Sequence, residues 1–224
     1  MHDLQQEKKL VLEYFNSINN ANSDTLIEII SKYTSSDFKM RCTHPFNELS
    51  GAEEIANNLW IPIKDSFKPI QRRMDIFYAG INSLDNNEGK WVTSMGHLMG
   101  VFNKAFFGIQ PNYKSILLRY AEFYKVENNK ITEGAIFLDI MNFMQQLGLS
   151  VIPESTGLVC VTPGPMNHRG LKYEHSNNVE SQKTLELIHR MRDRLVKGSN
   201  MKSYKDELTL DWNDDMIWWG PGGI

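Results

Sequence analysis

The chain has 224 residues, 41% of them apolar and 23% charged, with a formal net charge of -3. That length supports one domain with a substantial core, or one domain and part of a second, and the composition is that of a globular rather than a disordered chain. With no basic excess to neutralise phosphates or an anionic lipid surface, and no run near the roughly 18 apolar residues of a membrane span, neither nucleic acid nor a membrane is an expected partner.

Residues 5–33 read as two helices, because Leu10, Val11, Tyr14, Phe15 and Ile18, then Leu26, Ile27, Ile29, Ile30 and Tyr33, recur at helical spacing on either side of the turn "NNANSD". A first strand is expected at Phe38 to Thr43 and a third helix from Ala52, broken or kinked at Pro62. Four β-like stretches follow: Gln71 to Ile81, Lys90 to Phe102, Ser115 to Val126, and Lys130 to Asp139. The last two are joined by "ENNK", where Asn128 and Asn129 tolerate the positive φ angles of a tight hairpin. A short helix, "IMNFMQQLG", closes this unit. Helices followed by hairpin-linked strands predict an α+β domain over 1–149, with a curved antiparallel sheet packed on the N-terminal helices.

Residues 150–180, with Pro153, Pro163 and Pro165, read as a linker, and helical spacing resumes at Leu185, Leu187, Ile188, Met191 and Leu195 between Ser181 as front cap and Gly198 behind. Met216 to Trp219 reads as a strand entering the turn Gly220 to Gly223. "SSDFKMRCTHP" (Ser35 to Pro45) and "WNDDMIWWGP" (Trp212 to Pro221) share a polar turn, an aspartate, an apolar strand and a following proline. This pattern predicts 181–224 to be the truncated start of a second domain like the first, its tail being disordered, docked or exchanged between subunits.

Several motifs are missing. Cys42 and Cys160 lie far apart without a CxxC or Cys/His cluster, so they are expected to be reduced and structural. The start "MHDLQQEKKLVLEYF" is polar where a secretory signal is hydrophobic, so a cytoplasmic location is expected. No GxSxG, Gly-rich phosphate loop or HExxH occurs, and no metal or cofactor is expected.

Strand alternation places Trp91, Thr93, Met95, His97, Met99 and Val101 on one face, and puts Glu122 in the row Ile116, Leu118, Tyr120, Tyr124 and Val126. The odd face of Lys130 to Asp139 carries Ile131, Glu133, Ala135, Phe137 and Asp139. If the apolar faces turn inward, His97, Glu122 and Asp139 point into the interior, where burial poises such groups for proton transfer. Each also has a structural reading. Asp139 can N-cap the following helix, His97 can be a satisfied core histidine, Glu122 can pair across strands with Arg119 or Arg73, and Arg72-Arg73 reads as a solvated strand end. His44, in a loop before Pro45, is placed to reach the mouth of the interior or to face solvent.

The strand "SMGHLMGVF" with His97, the loop "GIQPNYKS" (Gly108 to Ser115), and "YKVENNKITEGAIFLDIMNFMQQLG" (Tyr124 to Gly148) together resemble the SnoaL-like polyketide cyclases, of the superfamily named after nuclear transport factor two. The resemblance covers 10–149; "QPNY" departs from the family's "PPTG", and Ala135 stands near the usual tryptophan. It implies a cone, a curved sheet whose open side is plugged by helices, and a cofactor-free reaction on a small hydrophobic or polyketide-like molecule. A proton is removed next to a carbonyl and the enolate closes a ring on a second carbonyl. Asp139 matches the family's acid/base aspartate, and His97 would hydrogen-bond the oxyanion. Glu122, His44, Trp91, Tyr120, Phe137 and Trp60 are the expected substrate contacts. The resemblance also implies a homodimer through the convex sheet face. An isomerase or hydrolase on the same cone, or a non-catalytic binding or dimerisation module, are the alternatives.

Overall fold

In the computed structural model, which describes residues 4–82, 88–149, 153, 164–165, 167–197, 203–214, 216 and 220, the first helix is α1 (Gln5–Asn20). It buries Val11, Tyr14, Phe15 and Ile18, the residues whose spacing predicts it. The second, α2 (Leu26–Tyr33), buries Leu26, Ile30 and Tyr33. The last carbonyls of α1 are satisfied from outside: Lys64 Nζ donates to the oxygens of Ile18 and Asn19 at 2.8 and 3.0 Å.

Strand β1 (Thr34–Cys42) begins earlier than expected, and a short β2 (Glu48–Ser50) pairs with it. Helix α3 (Gly51–Ile55) continues through a π-helical stretch, Ala56–Trp60, into α4 (Ile61–Ser66). Pro62 lies in the first turn of α4, where its missing N–H costs no helical bond, so the irregularity falls just before it.

Strands β3 (Gln71–Asn82), β4 (Gly89–Val101), β5 (Ser115–Glu127) and β6 (Lys130–Leu138) match the four predicted stretches. Asn128 and Asn129 adopt φ of 50° and 59° in the hairpin between β5 and β6. The strand order is β2-β1-β6-β5-β4-β3, a curved, unclosed sheet. One pair departs from the antiparallel expectation: β1 and β6 run parallel, because the whole β3–β5 meander separates them in sequence. Helix α5 (Ile140–Gln146) then leaves the end of β6 and lies beside β5, where Gln146 bonds the backbone N–H and C=O of Leu117 at 3.0 and 2.9 Å.

Burial identifies the two faces of the sheet. Val92, Ser94 and Leu98 of β4, Ile116, Leu118, Tyr120, Glu122 and Tyr124 of β5, and Ile136 and Leu138 of β6 form the concave face packed on the helices. At one end Phe67, Phe102, Phe106 and Phe143 pack edge-to-face or stacked with ring centres 5.2–5.8 Å apart. On β3 the faces switch. A bulge between Met74 and Ile76 inserts Asp75, so Arg72 and Phe77 both face the interior although they are five residues apart. Gly96 makes room for this bulge: a Cβ there would lie 2.0 Å from the Arg73 carbonyl oxygen.

The described residues divide into two compact units, 4–173 and 174–220. Residues 164–165 and 167–173, within the expected linker, go with the first. The N–H of Phe77 bonds Gly170 O at 2.8 Å, Lys172 N–H bonds Phe77 O at 2.7 Å, and Gly164 rests on the Asp75 side chain. In the second unit, α6 (Asn178–Lys197) starts three residues before Ser181 and is capped by Asn177, whose Oδ1 accepts from Val179 N–H at 2.9 Å. A further helix, α7 (Tyr204–Asp211), presents Asp211 to Arg190 and Arg194 of α6. Gly198 and the expected strand Met216 to Trp219, apart from Met216 itself, lie outside the described residues. No described helix is long and apolar enough to cross a membrane.

Candidate functional site

The concave face carries a carboxylate and a guanidinium in full burial. Glu122 Oε2 accepts from Arg72 Nη1 at 3.0 Å and from the Tyr124 hydroxyl at 3.3 Å, and the two charged side chains are 0% and 1% exposed. Arg72 is held in an aromatic enclosure, its guanidinium carbon 4.3 Å from the Phe15 ring centre, 4.7 Å from Tyr120 and 5.5 Å from Trp60. Tyr14 packs edge-on against Tyr124 at 5.6 Å, and the Tyr120 hydroxyl bonds Ser94 Oγ at 3.0 Å. Within this cluster Glu122 Oε1, Arg72 Nε and Nη2, Trp60 Nε1 and the Tyr14 hydroxyl make no hydrogen bond of strict geometry, although Trp60 lies close enough to the Tyr14 hydroxyl, and Arg72 to the Tyr120 hydroxyl, to pull their pKa values down against burial. Buried polar atoms are normally paired, so five such atoms in one cluster set it apart from the rest of the core. Burial raises the Glu122 pKa against the opposing pull of Arg72, and burial, with the nearby Glu122 charge, raises Tyr14 and Tyr124.

The convex face carries a second charged row, running across four chain segments. Arg73, His97 and Arg119 are cross-strand neighbours, and Asp139 N–H bonds Arg119 O at 3.0 Å. His97 Nδ1 lies 3.2 Å from Asp75 Oδ2, the bulge residue, while Asp75 Oδ1 lies 3.3 Å from Arg73 Nε. Arg119 Nη2 donates to Asp139 Oδ2, and Asp139 Oδ1 accepts from the N–H of Asn142, capping α5 at 2.9 Å. Burial lowers the His97 pKa, with Asp75 opposing it.

These positions revise the expectation that His97, Glu122 and Asp139 share the interior. Glu122, Tyr120 and Trp60 face it; His97 pairs in register with Arg119 and so lies on the opposite face, and Asp139 sits at the sheet end in the cap of α5. Trp91 and Phe137 belong to the convex face, where with Tyr78, Gly80, Thr93, Phe123 and Ala135 they line an open groove of about 500 Å³. His44 is exposed in its loop. The partner of Glu122 is Arg72 rather than Arg73 or Arg119, and Arg72 is no solvated strand end. The signal for it was the isolated carboxylate in an apolar row, which requires a cation on the same face. Among the described residues no His, Cys, Asp and Glu group is arranged to hold a metal ion.

Residues 86–147 match the family described as SnoaL-like polyketide cyclase. No curated protein matches the chain. Among solved structures, AclR, a candidate hydroxylase from Streptomyces galilaeus, is similar with 16% identity and a TM-score of 0.51 over 84% of this chain and 96% of that one. IdmH, a candidate polyketide cyclase from Streptomyces antibioticus, gives 12% identity and 0.51 over 63% and 97% of the two chains. A candidate SnoaL-like polyketide cyclase from Shewanella putrefaciens CN-32 gives 15% and 0.50 over 64% and 86%. The first unit therefore shares the fold of these proteins, a curved six-stranded sheet packed on helices. Its β4–β6 meander and closing helix carry the SnoaL-like polyketide cyclase signature.

Proposed function

We propose that the cone binds a small, largely apolar carbonyl compound against its concave face and acts on it as a cofactor-free acid/base enzyme of the SnoaL-like cyclase type. The observation that supports this reading is the fully buried Arg72–Glu122 pair in its aromatic enclosure, with Glu122 Oε1 making no hydrogen bond within the protein. A buried carboxylate can take a proton next to a carbonyl, and a fixed guanidinium can hold the oxygen that becomes negative. The aromatic rings around the pair supply the apolar contact area for a flat ligand. IdmH and the Shewanella protein, whose names point to polyketide cyclisation, share the fold and lend support to the reaction class. A second reading, ligand binding without turnover, is favoured by Asp139, whose two oxygens are engaged in a helix cap and an ion pair.

We further propose a homodimer formed through the convex face, where Tyr78 and Phe137 are 44% and 55% exposed beside Trp91 and Phe123. The ligand reading is tested by thermal unfolding with a panel of neutral bicyclic and tricyclic ketones. A ligand at 100 times its Kd should stabilise the fold by about 2.7 kcal/mol. If none raises the Tm of the wild type, the reading fails. If one does and the cone converts it to a ring-closed isomer, the cyclase is separated from the binding module.

A further inference from the structure

We infer that the second unit is a docking surface for a sheet: helices α6 and α7 repeat α1 and α2, and the face of α6 that corresponds to the buried face of α1 takes the apolar concave side of a second curved antiparallel sheet of the same type.

The two helix pairs correspond position by position when each is set on the other by its last residues, Lys197 on Asn20 and Asp211 on Tyr33. Helices α2 and α7 are both 8 residues long, and a hydroxyl residue, Thr25 or Ser203, precedes each. The sharper agreement is in packing. The Ser17 hydroxyl lies 3.0 Å from the Tyr33 hydroxyl and so joins α1 to the end of α2. Arg194 stands where Ser17 does, Asp211 stands where Tyr33 does, and these two form an ion pair that joins α6 to the end of α7. The chemistry of the contact has changed and its place has not, so the two pairs pack in the same register.

That register identifies the face. Val11, Tyr14 and Ile18 of α1 correspond to Ile188, Met191 and Leu195 of α6, an apolar stripe at helical spacing in both. In α1 the stripe is spent on the core: Val11 and Ile18 are 0% and 1% exposed, and Tyr14 packs on Tyr124 of β5. In α6, Ile188 and Leu195 are 47% and 58% exposed. A helix layer of this kind is completed by a second layer that covers its stripe, and in the first unit that layer is the sheet. One position also says which sheet. Phe15, whose ring centre lies 4.3 Å from the Arg72 guanidinium carbon, is replaced by Arg192. On the sheet of the first unit Arg192 would meet a like charge, so the occupant carries a carboxylate or an aromatic ring in that row. A second copy of this chain is a poor occupant for that reason, and because α1 already fills its concave face.

The test uses the sheet of the first unit as probe. In the full-length chain, residues 5–33 are replaced by the sequence of residues 182–211, and urea unfolding is followed together with amide exchange in β4 and β5. With Arg192→Phe in the graft, the chain should unfold cooperatively with both strands protected. The graft that keeps its arginine should have a lower midpoint, and the Arg192→Phe graft carrying I188K/L195K should lose the cooperative transition. An Arg192→Phe graft without protected strands, or one no more stable than its lysine counterpart, overturns the inference. A second measurement leaves α1 and α2 untouched. In the otherwise native chain, I188K/L195K should keep the main unfolding transition where it is and reduce binding of the apolar dye ANS. Unchanged dye binding would mean that the stripe is already covered, and a dimer that dissociates in this variant would make a second copy its occupant; either overturns the inference.

Discussion

Arg72 and Arg73 are neighbours in the chain, yet their side chains are 1% and 56% exposed. The strand alternation sends one to the concave face and the other to the convex face. The two faces of this sheet therefore carry two unrelated charge systems. The concave pair is buried and aromatic-walled, and Glu122 Oε1 makes no hydrogen bond within the protein. The convex row, Asp75–His97 and Arg119–Asp139, is bonded into the bulge and the helix cap that hold the sheet in shape. The convex groups are bonded into a bulge and a helix cap, whereas the interior pair is the one proposed above to meet a ligand.

The largest effect separating the faces is thermodynamic. Arg72→Met leaves Glu122 buried without its cation and should cost about 3–5 kcal/mol in urea unfolding, while adding Glu122→Leu should recover most of the loss. Arg73→Met, one residue away, should fall within about 0.5 kcal/mol of wild type. Equal costs for the two single variants would erase the distinction between the faces. On the convex side, Asp139→Ala removes the α5 cap and should cost about 1 kcal/mol, with a further loss from the stranded Arg119. Asp139→Asn keeps an acceptor for the Asn142 N–H and should cost less; thermal unfolding of both variants reads the difference.

The faces also titrate in opposite senses. His97 has its pKa lowered from an ordinary 6.5 by burial, against the Asp75 carboxylate and with Arg119 and Arg73 reinforcing the shift. Its contribution to stability is present above pH 6.5 and is lost as pH falls through and below that value, because the unfolded chain then binds the proton more readily. Glu122, raised by burial from 4.5, does the reverse: its contribution is complete below pH 4.5 and lost as pH rises through the raised value. Urea midpoints measured across pH should show the acid-side loss vanish in His97→Gln and the opposing slope vanish in R72Q/E122Q. An unchanged acid slope in His97→Gln would place the titration elsewhere.

Much of this was legible in the sequence. The four long strands, the Asn128-Asn129 hairpin, the two N-terminal helices and the closing helix follow from spacing and turn chemistry, and the SnoaL-like pattern was readable from the hairpin and from Gly96-His97. Which face is concave was not. Strand β5 is apolar on both sides, with Leu117 and Phe123 opposite Leu118 and Tyr124, so periodicity alone could not orient it. The deciding feature is the single inserted residue Asp75, which reverses the phase of β3 and puts Arg72 inside. A bulge of one residue leaves almost no trace in a string such as "RRMDIFYAG", yet it flips every side chain that follows. The one clue was Gly96, required because the bulge brings the Arg73 carbonyl onto its Cα.

The smallest energetic effect concerns the outermost residues of the convex face. Phe137 is 55% exposed and packs edge-on against Phe123 at 6.0 Å, so Phe137→Lys removes little buried surface and should shift monomer stability by no more than about 0.5 kcal/mol. Its effect on assembly should be far larger. Placed across a twofold axis, the Tyr78–Trp91–Phe123–Phe137 surface would set one copy of Phe137 near the other, and a lysine there brings two like charges into an apolar contact. Light scattering should therefore find a wild-type dimer and a Phe137→Lys monomer with nearly the same Tm at low concentration. A wild type that is already monomeric would mean that no second copy covers these aromatics. The convex face would then be a wall closed by its own ion pairs, and its exposed rings would do nothing beyond shielding the sheet.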